Sequence, residues 1–470
     1  MPSEMNRDGS RGARGHIRRV ALLSPTSGNL GNATLQLAMI ANLRKRVAGI
    51  EIVGVTLNPD DTRRRLGIEA FPLAAVSRPF YGLYTSDGFQ AGQGAATKPR
   101  RIKEVLKKIP GLRRLVLSLR TWRTELAHMM AAARQVRKLD RIIVPGGGSL
   151  DDSWGGPWGH PWTLFKWTLV CRLCRAPFLF VSIGKSSLEH PLSRFFVRVA
   201  LRLAAYRSYR DTDSKLAVQA LVDASQDPVY PDLAFSYPYA GGTATRKGPD
   251  DPRLLVGVSP IAFCDPRVWP EKDEGRYTRY LSQLAEMVKW LIKEHYRVLL
   301  FTTDSPDMAA ANDLEAMISA TASGGDALER LPGSLEQSPD SLLQGISGAD
   351  LTIASRLHGV ILSHLNATPV LALSFDRKVD AHMEAVGQKD YCLSIDHLRQ
   401  DILVERFTAL KAARHREEQT LRSAAQRFRR LLDEQYQRIV GAADATPASG
   451  PFETELDAPV VSMRGGLKSH

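Results

Sequence analysis

Short apolar runs, each released into a loop bearing Gly, Arg or Asp and then a helical pattern, recur along most of this 470-residue chain. Residues 20–24, 51–57, 141–145, 178–183 and 206–209 form one such series, and 254–258, 297–302, 349–354 and 370–373 form a second. Runs that are apolar on both faces and separated by helices specify parallel strands joined by crossovers, because only a sheet covered on both sides buries them. The expected fold class is therefore α/β, with two Rossmann-like domains facing a cleft. Ligands of such sheets sit beyond the carboxyl ends of the strands, so the loops after these runs are the places to look for chemistry.

The chain divides accordingly. Residues 1–17 read as a disordered arm and 18–240 as the N-terminal domain. A Pro- and Gly-rich stretch beginning near 237 supplies a linker at 241–252. The C-terminal domain is 253–400, followed by a charged helix at 401–440 and a disordered tail at 441–470. Between Lys98 and Arg123 ten Lys or Arg and one Glu are threaded with aliphatic residues. That segment reads either as a basic amphipathic helix drawn to an anionic membrane or as a helix covering the sheet with a solvated basic face. The formal net charge of +13 points to an acidic partner, and with no reading motif or stacking platform nucleic acid is not expected. The polar, basic start is not expected to act as a secretory signal, and no apolar run is long enough to cross a membrane. Four cysteines suit a reducing compartment, so a cytoplasmic location is expected, with peripheral contact at the inner membrane face on the lipid-binding reading of 98–123 alone. Cys171 and Cys174 are expected as two buried thiols on one helical face rather than as a metal or redox site.

The densest group of chemistry-bearing residues lies at 353–383. An apolar end delivers Arg356, Leu357 and His358 to a turn opened by Gly359, with a helical segment at 360–365. The run 370–373 then ends just before Asp376, Arg377 and Lys378. His358 and Lys378 are thus expected at neighbouring strand ends facing one crevice; capping and packing is the competing explanation. Two glycine loops follow strands in the first half. Gly28, Asn29, Gly31 and Asn32 open a helix, either as an anion cradle or as an ordinary βα turn. Gly146, Gly147 and Gly148 could bind phosphate or form a close domain wall. Arg210 follows the 206–209 run, with Asp211 and Ser214 as expected caps of the next helix. Trp154, Trp158 and Trp162 offer either a sugar-stacking surface or plain packing.

Four stretches taken together resemble the polysaccharide pyruvyl transferase family over roughly residues 18–399. They are Gly28-Asn29-Leu30-Gly31-Asn32 with its helix, Val144-Pro145-Gly146-Gly147-Gly148-Ser149-Leu150-Asp151, Arg210-Asp211 through Ser214 with Asp232 downstream, and Arg356-Leu357-His358 with Lys378. The resemblance implies a fold like the two-domain GT-B glycosyltransferases, phosphoenolpyruvate as donor, and a glycan or lipid-linked oligosaccharide as acceptor. It implies that Arg210, Arg356, His358 and Lys378 hold the donor or take part in the chemistry. The chain departs from the family at Asn32, where Asp is common, and the segment at 98–123 has no assigned counterpart.

The residue types suit that donor. A carboxylate and a phosphate on one small molecule call for Arg forks and a Lys point charge, here Arg210 and Lys378 for the phosphate. Arg356 would grip the carboxylate or position the His358 turn. His358, ordinarily titrating near working pH, is the expected general acid/base. No cofactor or metal is called for, since no cluster has ligand spacing. The rival readings are a nucleotide-sugar glycosyltransferase of the same architecture and a non-catalytic partner of a glycan-assembly complex.

Overall fold

The computed structural model of the protein describes residues 17–25, 28–74, 110–153, 155–239, 252–319 and 327–441, with backbone alone over 110–121. Most of the arm, the linker and the tail, the first part of the basic segment, and Trp154 lie outside the described residues.

Two six-stranded sheets, parallel throughout, form the two halves. The first contains β1 (Arg19–Ser24), β2 (Glu51–Thr56), β3 (Ala70–Pro72), β4 (Arg141–Pro145), β5 (Phe178–Ile183) and β6 (Tyr206–Tyr209), in the order β3-β2-β1-β4-β5-β6. The second contains β7 (Leu255–Ser259), β8 (Arg297–Leu300), β9 (Leu328–Arg330), β10 (Leu351–Ala354), β11 (Val370–Ser374) and β12 (Cys392–Ser394), in the order β12-β11-β10-β7-β8-β9. Both are doubly wound α/β sheets, the expected fold class. Every residue of β4, β5, β7, β10 and β11 is buried, which is why these strands read as unbroken apolar runs. The three-residue strands β3, β9 and β12 lack such a run, and the sequence pattern did not show them.

The strand order reverses between β1 and β4 in one half and between β7 and β10 in the other. These are the switch points at which adjacent loops diverge and leave a crevice. Helices α1 (Leu30–Arg46), α2 (Pro59–Leu66), α3 (Pro110–Val136), α4 (His160–Cys174), α5 (Pro191–Leu203) and α6 (Thr212–Gln219) belong to the first half. Helices α7 (Glu274–Lys293), α8 (Asp307–Ser319), α9 (Pro339–Ile346), α10 (Leu357–Leu365) and α11 (Arg377–Ala385) belong to the second. Helix α10 starts at Leu357, not after Gly359. The Cβ-less Gly359 lies against Ser259 and Ala354, so the first turn packs close to the sheet, Arg356 becomes the N-cap and His358 lies inside the helix. Of the paired thiols, Cys171 is fully buried, and burial pushes its pKa up, whereas Cys174 is only half-buried near the C-terminal end of α4.

Helix α12 (Gln400–Gly441) leaves the second half and returns to the first. Arg414 pairs with Asp350 at 2.8 Å in the second half. Further along, Gln435 donates to Ser182 and Ser208 at 3.0 and 2.8 Å, and Arg141 donates to the carbonyl of Ile439 in the first half. Its apolar stripe, including Leu403, Phe407, Leu421, Phe428 and Leu432, joins a core that runs continuously from β1 to β11. The two halves are therefore held by shared apolar burial, the main stabilising term of a fold, as well as by hydrogen bonds. Among the described residues no helix is long and apolar enough to cross a membrane.

Candidate active site

A cleft of about 510 Å³ opens at the two switch points. Asn29 and Asn32 follow β1, Gly148 and Asp151 follow β4, Trp269 and Glu271 follow β7, and Arg356 and His358 follow β10. Arg210, beyond β6, and Lys378, beyond β11, complete the wall.

Arg210 is fixed by the sequence around it. Asp211 caps α6 by accepting from Ser214 N at 2.6 Å, and Ser214 Oγ accepts from Lys185 N at 3.0 Å. The guanidinium then fills the space over Gly184, where a Cβ would stand 2.5 Å from Nη2. Arg210 Nη1 lies 3.6 Å from Asp232 Oδ2, and His358 Nε2, from the other half of the molecule, lies 4.0 Å from the same oxygen. All three side chains are buried. Arg210 Nη2, Asp232 Oδ2 and His358 Nε2 make no hydrogen bond within the protein. Buried polar atoms are nearly always paired, so three such atoms around one point mark a place built to receive a polar group.

Burial lowers the pKa of His358 to about 4, with Arg210, Arg356 and Lys378 adding to the effect and Asp232 opposing it. The expectation of an imidazole titrating near working pH is corrected: burial, with the nearby cations, holds the ring neutral. Lys378 Nζ pairs with Asp376 at 2.9 Å and lies 5.3 Å from the centre of the Phe375 ring. Burial would raise the Asp376 carboxyl, but Lys378 outweighs it and holds the pKa below the ordinary value. His358 and Lys378 do face one cleft from the ends of adjacent strands β10 and β11.

The Arg356 guanidinium is engaged by carboxylates. It binds Asp307 through both Nε and Nη2, the latter at 2.7 Å, and Nη1 lies 3.4 Å from Asp304. Asp304 is buried, and burial holds its pKa above the ordinary carboxylate range. Burial likewise raises Asp151 against the pull of its Ser153 hydrogen bond and of Lys378.

The glycine loops act as walls and latches. Leu30 N donates to Thr303 O at 2.8 Å, Asn29 Nδ2 to Asp304 at 2.8 Å, and Ser334 Oγ to Gly28 O at 3.0 Å. Asn32 N and Ala33 N are taken by the side chain and carbonyl of Asn29. Of the amides an anion cradle would use, Leu30 N is thus spent on joining the two halves, and Asn32 N and Ala33 N on the cap of α1. Gly31 lies against the His358 ring. At the second loop, Gly147 O accepts from Gly184 N at 2.8 Å and Gly146 N donates to Val181 O at 2.7 Å, with Gly148 alone of the three lining the cleft. Asn32 lines the cleft, its Oδ1 3.0 Å from where a Cβ on Gly147 would be.

Trp158 and Trp162 are not cleft residues. Their rings pack 5.5 Å apart in a cluster with Trp122 and Phe196, the packing alternative for these tryptophans. The aromatic cleft wall is instead Trp269, edge-on to Phe375 at 5.6 Å, which sequence reading missed because an isolated Val-Trp-Pro carries no pattern. Among the described residues no group of three or more His, Cys, Asp or Glu could hold a metal ion.

Known structures similar to the chain share its architecture. A putative UDP-N-acetylglucosamine 2-epimerase from Listeria monocytogenes superposes with a TM-score of 0.56 at 11% identity, covering 90% of this chain and 98% of that one. MnaA of S. aureus, solved with UDP, gives 0.54 at 11% identity over 90% and 95%. A glycosyltransferase from Rickettsia africae gives 0.52 at 10% identity over 91% and 98%. The fold is thus of the GT-B type. A search of curated proteins found no sequence match. The polysaccharide pyruvyl transferase family profile matches residues 29–377, which hold two of the four motif stretches in full and the other two except for Gly28 and Lys378 at the edges. The chain belongs to the polysaccharide pyruvyl transferase family.

Proposed function

We propose that the protein moves a pyruvyl group from phosphoenolpyruvate to two hydroxyls of a sugar in a cell-surface glycan or its lipid-linked precursor, releasing phosphate. The observation that carries this reading is the meeting of Arg210 and His358, from opposite halves, on Asp232 in a cleft that also holds Lys378. Arg210 and Lys378 receive the donor's phosphate, the one as a fork and the other as a point charge. Arg356, already bound to Asp307, sets the start of α10 and so the place of His358.

Burial is the main cause of the low His358 pKa and the three cations add to it; a multiply charged anion beside the ring offsets the cations and raises that pKa, so the imidazole gains a proton as the donor binds. His358 delivers that proton to the methylene carbon, a sugar hydroxyl adds to C2, and its proton returns to the ring. The C–O bond to phosphate then breaks as Arg210 and Lys378 stabilise the departing charge. The second hydroxyl closes the ketal, and its proton leaves with phosphate. Asp232 steadies the imidazolium. Trp269 and Phe375 form an apolar wall for the acceptor ring, with Asp151 and Glu271 as hydrogen-bond acceptors for its hydroxyls.

The test is phosphate release from phosphoenolpyruvate with a panel of glycan acceptors, alongside a thermal-shift panel of UDP- and GDP-sugars. Acceptor-dependent phosphate release supports the reading. Stabilisation by a nucleotide sugar with no phosphate release assigns the cleft to a glycosyltransferase instead.

A further inference from the structure

Seven large apolar side chains are strongly exposed among the described residues, and six of them lie on one set of packed helices. Trp122, Leu126 and Met130 recur every fourth residue on α3, which places them on one stripe. Trp158 just before α4, Leu173 at its end, and Phe195 on α5 are 42, 73 and 52% exposed. Three of these side chains are tied together: Trp122 meets Trp158 at 6.4 Å, Trp158 meets the buried Phe196 at 5.6 Å, and Phe196 meets Phe195 at 5.9 Å. Exposed apolar surface of this kind marks an interaction site.

The charge on these helices says what the partner is. Helices α4 and α5 contain no acidic residue. The one acid of α3, Glu125, is buried against Lys166 at 3.0 Å. Arg123, Arg172, Arg194 and Arg202 are exposed, and Arg198 lies beside Phe195 in a shallow groove. Aromatic residues among arginines, with no exposed carboxylate on the helices, complement an anionic lipid headgroup layer over an acyl boundary. A protein interface would be depleted of such unanswered charge at its core. Glu189 lines both this groove and the cleft, so the patch reaches the lip of the active site.

We propose that the α3–α4–α5 face docks the N-terminal half on an anionic bilayer, with the cleft opening at the lipid surface. This goes beyond the reading of the cleft, which it does not require. It also differs from docking by the 98–123 segment alone, because most of its contacts come from α4, α5 and the outer half of α3.

The experiment is co-sedimentation of the full chain with phosphatidylcholine vesicles, with and without about a third phosphatidylglycerol. The full chain should pellet with the anionic vesicles only, and added salt should weaken binding. Trp122→Ser with Phe195→Ser should lower the partition by about tenfold or more. Arg194→Ser with Arg198→Ser should lower it roughly fivefold per charge. The unfolding midpoints of both variants should stay near that of the parent chain, since the replaced groups are exposed or half-exposed. A chain that stays in the supernatant with anionic vesicles overturns the proposal, as do variants that pellet like the parent. Loss of dimerisation in the first variant without vesicle binding by the parent overturns it too, giving the face to a second copy. No readout uses phosphoenolpyruvate, so this result and the fate of the proposed activity are independent.

Discussion

The ring of His358 lies directly on Gly31: a Cβ at position 31 would stand 2.0 Å from the ring's Cγ and 2.1 Å from Nδ1. The two residues belong to different halves of the molecule, so the first helix of one half sets the position of the candidate acid/base of the other. Gly31→Ala must displace a buried ring, and displacements of about 1 Å at a reacting group cost on the order of a hundredfold. We expect phosphate release to fall by about that factor or more while the variant still folds, as a melting curve would record. Unchanged turnover in Gly31→Ala would show that the ring's place is immaterial.

Gly184 stands in the same relation to Arg210, with the carbonyl of Gly147 closing the other side at 3.3 Å. Gly184→Ala should push the guanidinium out of the donor site. Hydrogen bonds to charged groups contribute roughly 1.5–3 kcal/mol, so the KM for phosphoenolpyruvate should rise about tenfold or more, and Arg210→Ala should do the same. Titration calorimetry with the donor is the check. Donor affinity unchanged from that of the parent chain in both variants would remove Arg210 from the site.

Trp269→Ala should raise the acceptor KM by roughly fivefold, the scale of one aromatic contact, with donor affinity unchanged. A rise in the donor KM instead would place the aromatic wall on the wrong substrate.

Four histidines are held uncharged by burial: His160 and His358 at about 4, His364 at about 3, and His382 well below its ordinary value. His364 and His382 touch at 3.0 Å. The unfolded chain binds protons at these sites below pH ~6.5, where the folded protein does not, so stability is full above that pH and falls as pH drops toward 4. The raised Asp304 works in the opposite sense, its share being present at low pH and lost as pH rises. Each histidine adds at most about 1.4 kcal/mol per pH unit within the window, so urea midpoints should fall steeply between pH 6.5 and 5. Flat midpoints would mean that these rings are protonated in the folded state.

The sheets were legible because strands buried on both faces leave an unbroken apolar run, and the cleft because function gathers at strand ends. Arg210, His358 and Lys378 were found that way. What local pattern could not reveal were pairings across long stretches of chain. The capture of Arg356 by Asp307 and Asp304, some fifty residues earlier, changes that arginine from a free cation to a held one. The joining of Leu30 to Thr303 makes a latch of a glycine loop whose sequence fitted an anion cradle and an ordinary βα turn alike. Burial, invisible in spacing, lowered the pKa of His358 and holds its ring uncharged. Trp158 and Trp162, conspicuous in sequence, pack in a cluster of their own, while Trp269 stood alone and passed unseen.

The central claim is that this cleft joins pyruvate to a sugar diol with His358 handling the proton. Mass analysis of a glycan panel incubated with phosphoenolpyruvate, using the parent chain and His358→Ala, addresses it most directly. The account predicts one pyruvyl ketal gained per phosphate released by the parent, and loss of about two or more orders of magnitude in rate for the variant with donor binding retained. Ketal formation at the parental rate by His358→Ala, or a product carrying a transferred sugar instead of pyruvate, would contradict it.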